Sequence, residues 1–374
     1  MQFRDLKQQY QVLKNDLDAA MIKVATDCNF ISGAQIAELE KELAHYVGVK
    51  HCITCANGTD ALSIAMMAWG IGGGDAVFVP DFTFFSSGEI VSHCGATPVF
   101  VDVDKDTYNI DCSSLEKAIE KVKAEGKLKP KAVVAVDLFG LPADYVSLRP
   151  IAEKHGLLIL EDGAQGFGGE INGKRACSFG DIATTSFFPA KPLGCYGDGG
   201  AIFTDDDELA ALMESIRVHG KGTMKYDNVR IGLNSRLDTI QAAILSVKLK
   251  AFKEYEVEAV NRVAEKYTEL LKDTVKTPVI PEGFYSSWAQ YTIQLSDMKT
   301  RERLQSALKD QGIPSMVYYP KPMHMQKAFG YGEDYKFECS NTVKLCNTVL
   351  SLPMHPYLTD EDIEKVVHSL KSCL

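Results

Sequence analysis

The chain has 374 residues, of which 45% are hydrophobic and 24% charged, and a formal net charge of −10. That length exceeds one ordinary core and implies two domains of a globular enzyme. The acidic balance argues against a broad surface for nucleic acid or an anionic membrane. No apolar run reaches the roughly 18 residues of a membrane span. Residues 1–20 carry acids and amides without a signal pattern, so a cytoplasmic protein is expected. The ten cysteines then read as reduced thiols. Cys52 and Cys55 form one CxxC, but no second pair follows at zinc spacing, and no metal is expected.

From about residue 35 to 245, short apolar runs alternate with helical periods. Strands are expected at 51–55, 76–80, 97–103, 131–138, 157–162, 182–188 and 200–204, with helices at 59–69, 84–94, 113–124, 144–155 and 206–218. Such alternation predicts an α/β fold, a mostly parallel central sheet flanked by helices, with ligands at the carboxyl ends of its strands. Lys121 to Lys131 reads as a solvated surface hairpin. A long amphipathic helix over 238–273 leads into a smaller α+β module, with strands at 288–295 and 314–319 and helices at 301–311, 341–349 and 359–371. The domains are read as 1–245, with residues 1–15 an N-terminal arm, and 246–374.

Lys191 ends the run Ser186-Phe187-Phe188-Pro189-Ala190-Lys191 and precedes the glycine-rich stretch 194–200, where packing gives little reason for a lysine. In a partly dry site desolvation disfavours the charged amine, and a neutral amine attacks carbonyls to form a Schiff base. Upstream, Leu157-Leu158-Ile159-Leu160 runs into Glu161-Asp162-Gly163-Ala164-Gln165. An acid ending a buried strand ahead of such a lysine suits pyridoxal phosphate chemistry, in which it pairs with the pyridinium nitrogen. A helix N-cap is the structural alternative for Asp162. Asn57-Gly58-Thr59-Asp60 precedes a helical run whose free N–H groups suit a phosphate, or Asn57 or Thr59 is an ordinary cap. Gly72-Gly73-Gly74-Asp75 lacks the ending of a nucleotide phosphate loop and reads as a connection. Phe84 follows a strand, where a flat ring either stacks on a ligand or joins the core.

In order and spacing these motifs resemble the DegT/DnrJ/EryC1/StrS sugar aminotransferases, fold-type I enzymes that use pyridoxal 5′-phosphate. The likeness runs from Phe3-Arg4-Asp5-Leu6 to Leu352-Pro353-Met354-His355-Pro356. It implies that Lys191 holds the cofactor and shuttles the substrate proton, that Asp162 pairs with the ring nitrogen, and that Gln165 meets the phenolic oxygen. It further implies phosphate contacts from Gly58, Thr59 and Ser186, and stacking by Phe84. Members with histidine at the lysine position dehydrate or deoxygenate, so Lys191 favours transamination.

The resemblance also implies a homodimer with shared active sites, in which Asn234 of Gly232-Leu233-Asn234-Ser235-Arg236 crosses to the other subunit's phosphate. Tyr319-Pro320-Lys321-Pro322 and His324 are similar to a stretch that lines the sugar site, although Tyr318 stands where many relatives carry histidine. Arg236 is expected to read a carboxylate on the sugar, or else to be a surface or interface arginine. The implied reaction moves an amino group from glutamate, leaving 2-oxoglutarate, to a nucleotide-linked keto-sugar. The segment 187–204 looks most like members that aminate the 3-keto group of a UDP-N-acetyl-hexuronic acid for bacterial surface polysaccharide such as lipopolysaccharide. A dTDP- or UDP-linked 4-keto-6-deoxysugar is the alternative substrate. A non-catalytic regulatory protein on the same fold is the alternative of another class.

Overall fold

The apolar runs assemble into one seven-stranded sheet among the described residues, 1–224 and 226–374 of a computed structural model. Two helices, α1 (Leu6–Asp27) and α2 (Ala34–Val47), precede β1 (His51–Cys55). The chain then alternates through α3 (Gly58–Ala68), β2 (Asp75–Pro80), α4 (Ser86–His93), β3 (Thr97–Val101), α5 (Cys112–Glu125), β4 (Lys129–Val136), α6 (Tyr145–His155) and β5 (Leu158–Asp162). The short β6 (Glu170–Ile171) and β7 (Lys174–Arg175) lead to β8 (Ile182–Ser186), β9 (Gly200–Thr204) and α7 (Asp207–Arg217). The strand order is β1-β9-β8-β5-β4-β2-β3; β9 runs antiparallel to both neighbours and the remaining pairs are parallel.

Helices cover both faces of this sheet, so successive residues of a strand enter different cores. In β4, Val134 and Val136 pack with Leu160 and Ile202 on one side, and Val133 and Ala135 with Ile159 on the other. Cys52 and Cys55 likewise point from β1 into different cores, so the CxxC cannot close on one ion. The stretch 121–131 is no hairpin: it is the last turn of α5, capped by Gly126 at φ 63°, and the start of β4. Within the expected N-terminal arm, residues 6–15 are helical. Asp5 caps α1 by accepting a hydrogen bond from the Gln8 N–H at 2.8 Å. Only Gln9, Leu17 and Val24 are buried along that helix, so its sequence has little apolar period to read.

The connecting helix is α8 (Thr239–Ala251), a π-helical turn at Phe252–Glu256, and α9 (Val257–Leu271). Leu245, Leu249 and Phe252 pack in a core of the large domain, while Val260 and Val263 begin that of the small domain. The connecting helix thus passes from one core to the other near the π turn. Beyond it, β10 (Phe284–Tyr285) returns to pair with β6, and β11 (Tyr291–Gln294) is followed by α10 (Met298–Asp310), α11 (Ser340–Thr348), β12 (Val349–Leu352) and α12 (Asp360–Cys373). β11 and β12 pair antiparallel. The strand expected at 314–319 does not form. Met316 makes a single bridge to Ser351, between two prolines, Pro314 and Pro320, that bring no N–H.

Candidate active site

Three chain segments meet at the carboxyl edge of the sheet. Asp162 ends β5 and Ser186 ends the neighbouring parallel strand β8, while Gly58 opens α3 directly after β1. Asp162 is 4% exposed. One carboxylate oxygen accepts the Ser87 hydroxyl at 2.7 Å and the other accepts the Ala164 N–H at 3.2 Å. Ser87 is in turn 3.2 Å from the Thr83 hydroxyl. Burial raises the Asp162 carboxyl above its ordinary range, and the two hydrogen bonds and the charge of Lys191 work against that rise.

Lys191 follows β8, which stops at Ser186 and releases 187–191 into a turn. The residue is half-buried. Burial lowers its amine below the ordinary lysine range; the charge on Asp162 opposes this and Arg4 adds to it. The site thus sets an amine whose pKa burial lowers beside a buried carboxylate, which is the pairing a carbonyl-bearing pyridine ring requires.

The start of α3 forms the opposite wall. Asn57 accepts the Asp60 N–H at 2.8 Å, leaving the first-turn N–H groups of Gly58 and Thr59 outside the helical ladder and open to an anion. Gly58 lies hard against β8: a Cβ on it would meet the Ser186 Cβ at 2.7 Å. A Cβ on Gly200 would meet the Asn57 carbonyl carbon at 2.6 Å, so two missing side chains let the helix start reach the Ser186 hydroxyl. The donors, the buried acid and the amine together fit pyridoxal 5′-phosphate. Gly58→Ala is expected to force the helix start away from Ser186, at about 1–3 kcal/mol of strain, or roughly 5- to 150-fold weaker retention of a phosphate ligand. Equilibrium dialysis of the cofactor checks this, and unchanged retention would remove the cradle from Gly58.

Gln165 is 5% exposed and fixed at both ends. Its Oε1 accepts the Phe139 N–H at 2.7 Å, and its Nε2 donates to the Tyr319 hydroxyl at 3.0 Å. The second Nε2 hydrogen is available to a ligand. Burial pushes the Tyr319 phenol up, so it stays protonated, with Gln165 as the opposing influence. Phe84 is 55% exposed, and its ring centroid lies 6.4 Å from that of Tyr319, the partner of Gln165.

The remaining sequence-predicted residues have other partners. His324 is buried; its N–H and its Nδ1 meet the two oxygens of Asp81 at 2.8 and 2.7 Å, and its ring stacks on Tyr335 at 5.1 Å. Cys339 completes a trio with Asp81 and His324, their ligand atoms within 4.8 Å of one another, but both Asp81 oxygens are already engaged by His324. Asn234 accepts from Arg236 Nη2 at 2.7 Å, and the pair lines a different cavity with Ala56 and Gly197. Sequence reading missed Ser87, which stands in a serine pair without a motif, and Arg4, which donates to the Lys191 carbonyl at 2.8 Å.

The sequence model of the DegT/DnrJ/EryC1/StrS aminotransferase family matches residues 11–371. The chain is 45% identical over 371 residues to the UDP-2-acetamido-2-deoxy-3-oxo-D-glucuronate aminotransferase of Pseudomonas aeruginosa, covering 99% of each. It is 43% identical to a pleiotropic regulatory protein of Geobacillus stearothermophilus, covering 98% of this chain and 96% of the other. A crystal structure of a DegT/DnrJ/EryC1/StrS aminotransferase from Brucella abortus superposes with a TM-score of 0.96 at 49% identity, covering 100% of this chain and 99% of that one.

Proposed function

From the premise that the chain belongs to the DegT/DnrJ/EryC1/StrS aminotransferase family, we propose that it aminates the 3-keto group of a UDP-linked N-acetyl-hexuronic acid with glutamate as donor. It is a pyridoxal-phosphate-dependent aminotransferase for nucleotide-linked keto-sugars. The observation that carries the site assignment is the half-buried Lys191 amine, lowered by burial, beside the buried Asp162. When bound, the cofactor supplies an electron sink for the amino-group carbon.

The chain's own residues divide the remaining work. With the cofactor bound, Lys191 Nζ would take the proton from the donor's Cα and deliver it to the cofactor carbon that bears the amino group. Asp162, held by Ser87 and Ala164, keeps the ring nitrogen protonated. Gln165 turns its free Nε2 hydrogen to the phenolic oxygen. Gly58, Thr59 and Ser186 hold the phosphate, Phe84 covers a ring face against water, and Tyr319 borders the sugar. The burial of His324 against Asp81 supports a role in shaping the 319–325 stretch rather than in direct sugar contact.

Asn234 and Arg236 enter the reading through a partner copy. Within one chain they line a cavity apart from Lys191, and apolar side chains are exposed nearby in sequence or cavity: Ile31 is 47% exposed and Ile231 87%. A homodimer with shared sites would cover these side chains and bring Asn234 to the other subunit's phosphate. In the cytoplasm the ten thiols stay reduced, and among the described residues no helix is long and apolar enough to cross a membrane.

The test incubates the enzyme with glutamate and a panel of nucleotide keto-sugars, with mass detection of the aminated product. The UDP-linked 3-keto-hexuronic acid is expected to turn over best. Arg236→Ala is expected to lose about 30-fold or more with that substrate, as removal of an arginine from a paired carboxylate does. Its glutamate half-reaction is expected to be unchanged. Equal losses with a neutral 6-deoxysugar would move the substrate to the 4-keto-6-deoxy alternative. No 2-oxoglutarate with any sugar would favour the regulatory alternative, which the name of the Geobacillus relative keeps in view.

A further inference from the structure

The turn that carries Lys191 is held largely from outside. Pro189 and Pro192 bring no N–H to it. Its internal main-chain bonds run from the Lys191 N–H to the Phe188 carbonyl and from the Cys195 N–H to the Phe187 carbonyl, both at 2.8 Å. Three further carbonyls are met by two cations. Arg4 Nη2 donates to the Lys191 carbonyl at 2.8 Å and to the Pro192 carbonyl at 3.3 Å. Lys248 Nζ, from α8, donates to the Gly194 carbonyl at 2.8 Å. Gly194 allows the turn to close tightly, since a Cβ there would meet the Pro189 carbonyl oxygen at 2.5 Å.

Arg4 is itself held on both sides. The Phe3 carbonyl accepts the Met354 N–H at 3.0 Å, and the Phe3 ring lies 6.2 Å from that of Tyr318. Asp5 then starts α1 as its cap. Glu256, in the π turn, supplies the negative charge facing Arg4. Its carboxylate is fixed by Gln9 Nε2 at 2.9 Å and the Tyr357 hydroxyl at 2.6 Å. Segments from the N-terminus, the π turn and the small domain therefore converge behind the lysine turn.

We propose that Arg4 is a positioning residue for Lys191: by holding the Lys191 and Pro192 carbonyls it aims the amine, and with Phe3 it ties the small domain to the reactive turn. The inference rests on Lys191 being the reactive amine. A turn with few internal donors keeps its direction only while its external donors stay in place, and displacement of a reacting group by about 1 Å costs up to roughly 100-fold in rate.

The test compares the full-length, cofactor-loaded Arg4→Gln and Arg4→Lys variants with the wild-type enzyme. Arg4→Gln is expected to lower kcat about 10- to 100-fold while the KM for the nucleotide sugar stays within about threefold. Deuterium uptake is expected to rise in the peptide spanning 188–195 and not in that spanning 158–162. Arg4→Lys, which keeps the charge on a single point donor, is expected to fall between the two in both measurements. Wild-type kcat and wild-type uptake in 188–195 overturn the proposal, as does a rise in uptake spread equally through β5. If Arg4→Gln does not accumulate as folded protein, Arg4→Lys decides: wild-type values in both measurements overturn the proposal, and intermediate ones support it. Failure of the underlying assignment looks different, because cofactor still fixed covalently in Lys191→Ala would remove Lys191 whatever Arg4 does to the turn.

Discussion

Lys191→Ala is expected to leave a folded protein from which borohydride no longer fixes cofactor to the chain. The half-buried amine is the group placed to attack a carbonyl at the carboxyl edge of the sheet, and burial lowers its pKa below the ordinary lysine range. Turnover is expected to fall by about 1000-fold or more, since the same amine that holds the cofactor also moves the proton, and proton transfer alone contributes roughly 100- to 10,000-fold. With Gly58, Thr59 and Ser186 as the proposed phosphate contacts untouched, the variant is still expected to bind cofactor reversibly. Mass spectrometry of the reduced 186–200 peptide reads the covalent link directly. A reduced adduct in the variant would falsify the role of Lys191.

The same variant tests the shared site. Lys191→Ala and Asn234→Ala chains are each expected to be inactive as homodimers. If Asn234 serves the partner's phosphate, a hybrid dimer has one doubly damaged site and one intact site. At full exchange half the dimers are hybrids, so about a quarter of wild-type activity returns. Mixtures that stay inactive despite proven exchange would place Asn234 outside the partner's site, and the cavity it shares with Arg236 would then be a surface feature.

The chemistry of Asp162 and Lys191 is legible in sequence because each interrupts an apolar run. Leu158 to Leu160 needs no acid after it for packing, and Ile182 to Phe187 needs no lysine, so those residues stand out against a parallel, doubly covered sheet. The sheet is legible for the same reason. Other elements hide because their cause is tertiary. α1 buries three side chains in 22 residues and lies against α8, so no local period announces it. β12 is a short run, Val349-Leu350-Ser351-Leu352, that pairs with β11 from far along the chain, and nothing in it separates a strand from the tail of α11.

Within the site the missed residues act through others. Ser87 lies far from Asp162 in sequence and becomes relevant only when α4 brings its hydroxyl to the carboxylate. His324 shows how much depends on partners. Its motif pointed to the sugar, yet Asp81 at the end of β2 takes both its N–H and its Nδ1, so the imidazole serves first to hold the 319–325 stretch on the sheet. A motif gives residue types in order; which of them face a ligand depends on partners such as Asp81 that lie outside it.

Asp162→Asn is the substitution that separates binding of the cofactor from its use. The amide is nearly isosteric and can keep the Ser87 hydrogen bond, so β5 and its neighbours have no reason to shift. It is neutral, however, and cannot stabilise a protonated ring nitrogen. Loss of one such buried electrostatic contact costs roughly 100- to 1000-fold in kcat, and that is the expected effect here. Two further results distinguish this variant from Lys191→Ala. Borohydride still fixes the cofactor to Lys191. The acid limb set by Lys191 also moves: the anion of Asp162 raises the lysine's pKa, so its removal lowers that pKa further and carries the acid side of the pH–rate profile to lower pH. Stability runs the other way from activity. Asp162 has a folded-state pKa raised by burial, so ionising it costs stability as pH rises above the unfolded value; at pH 7 the neutral amide avoids that cost. The Tm in cofactor-free buffer is therefore expected to be equal to or above that of the wild type, a trade of stability for function at a buried catalytic acid. A kcat within about threefold of wild type, with the pH profile unmoved, would leave Asp162 as no more than the partner of Ser87 and Ala164 at the end of a strand.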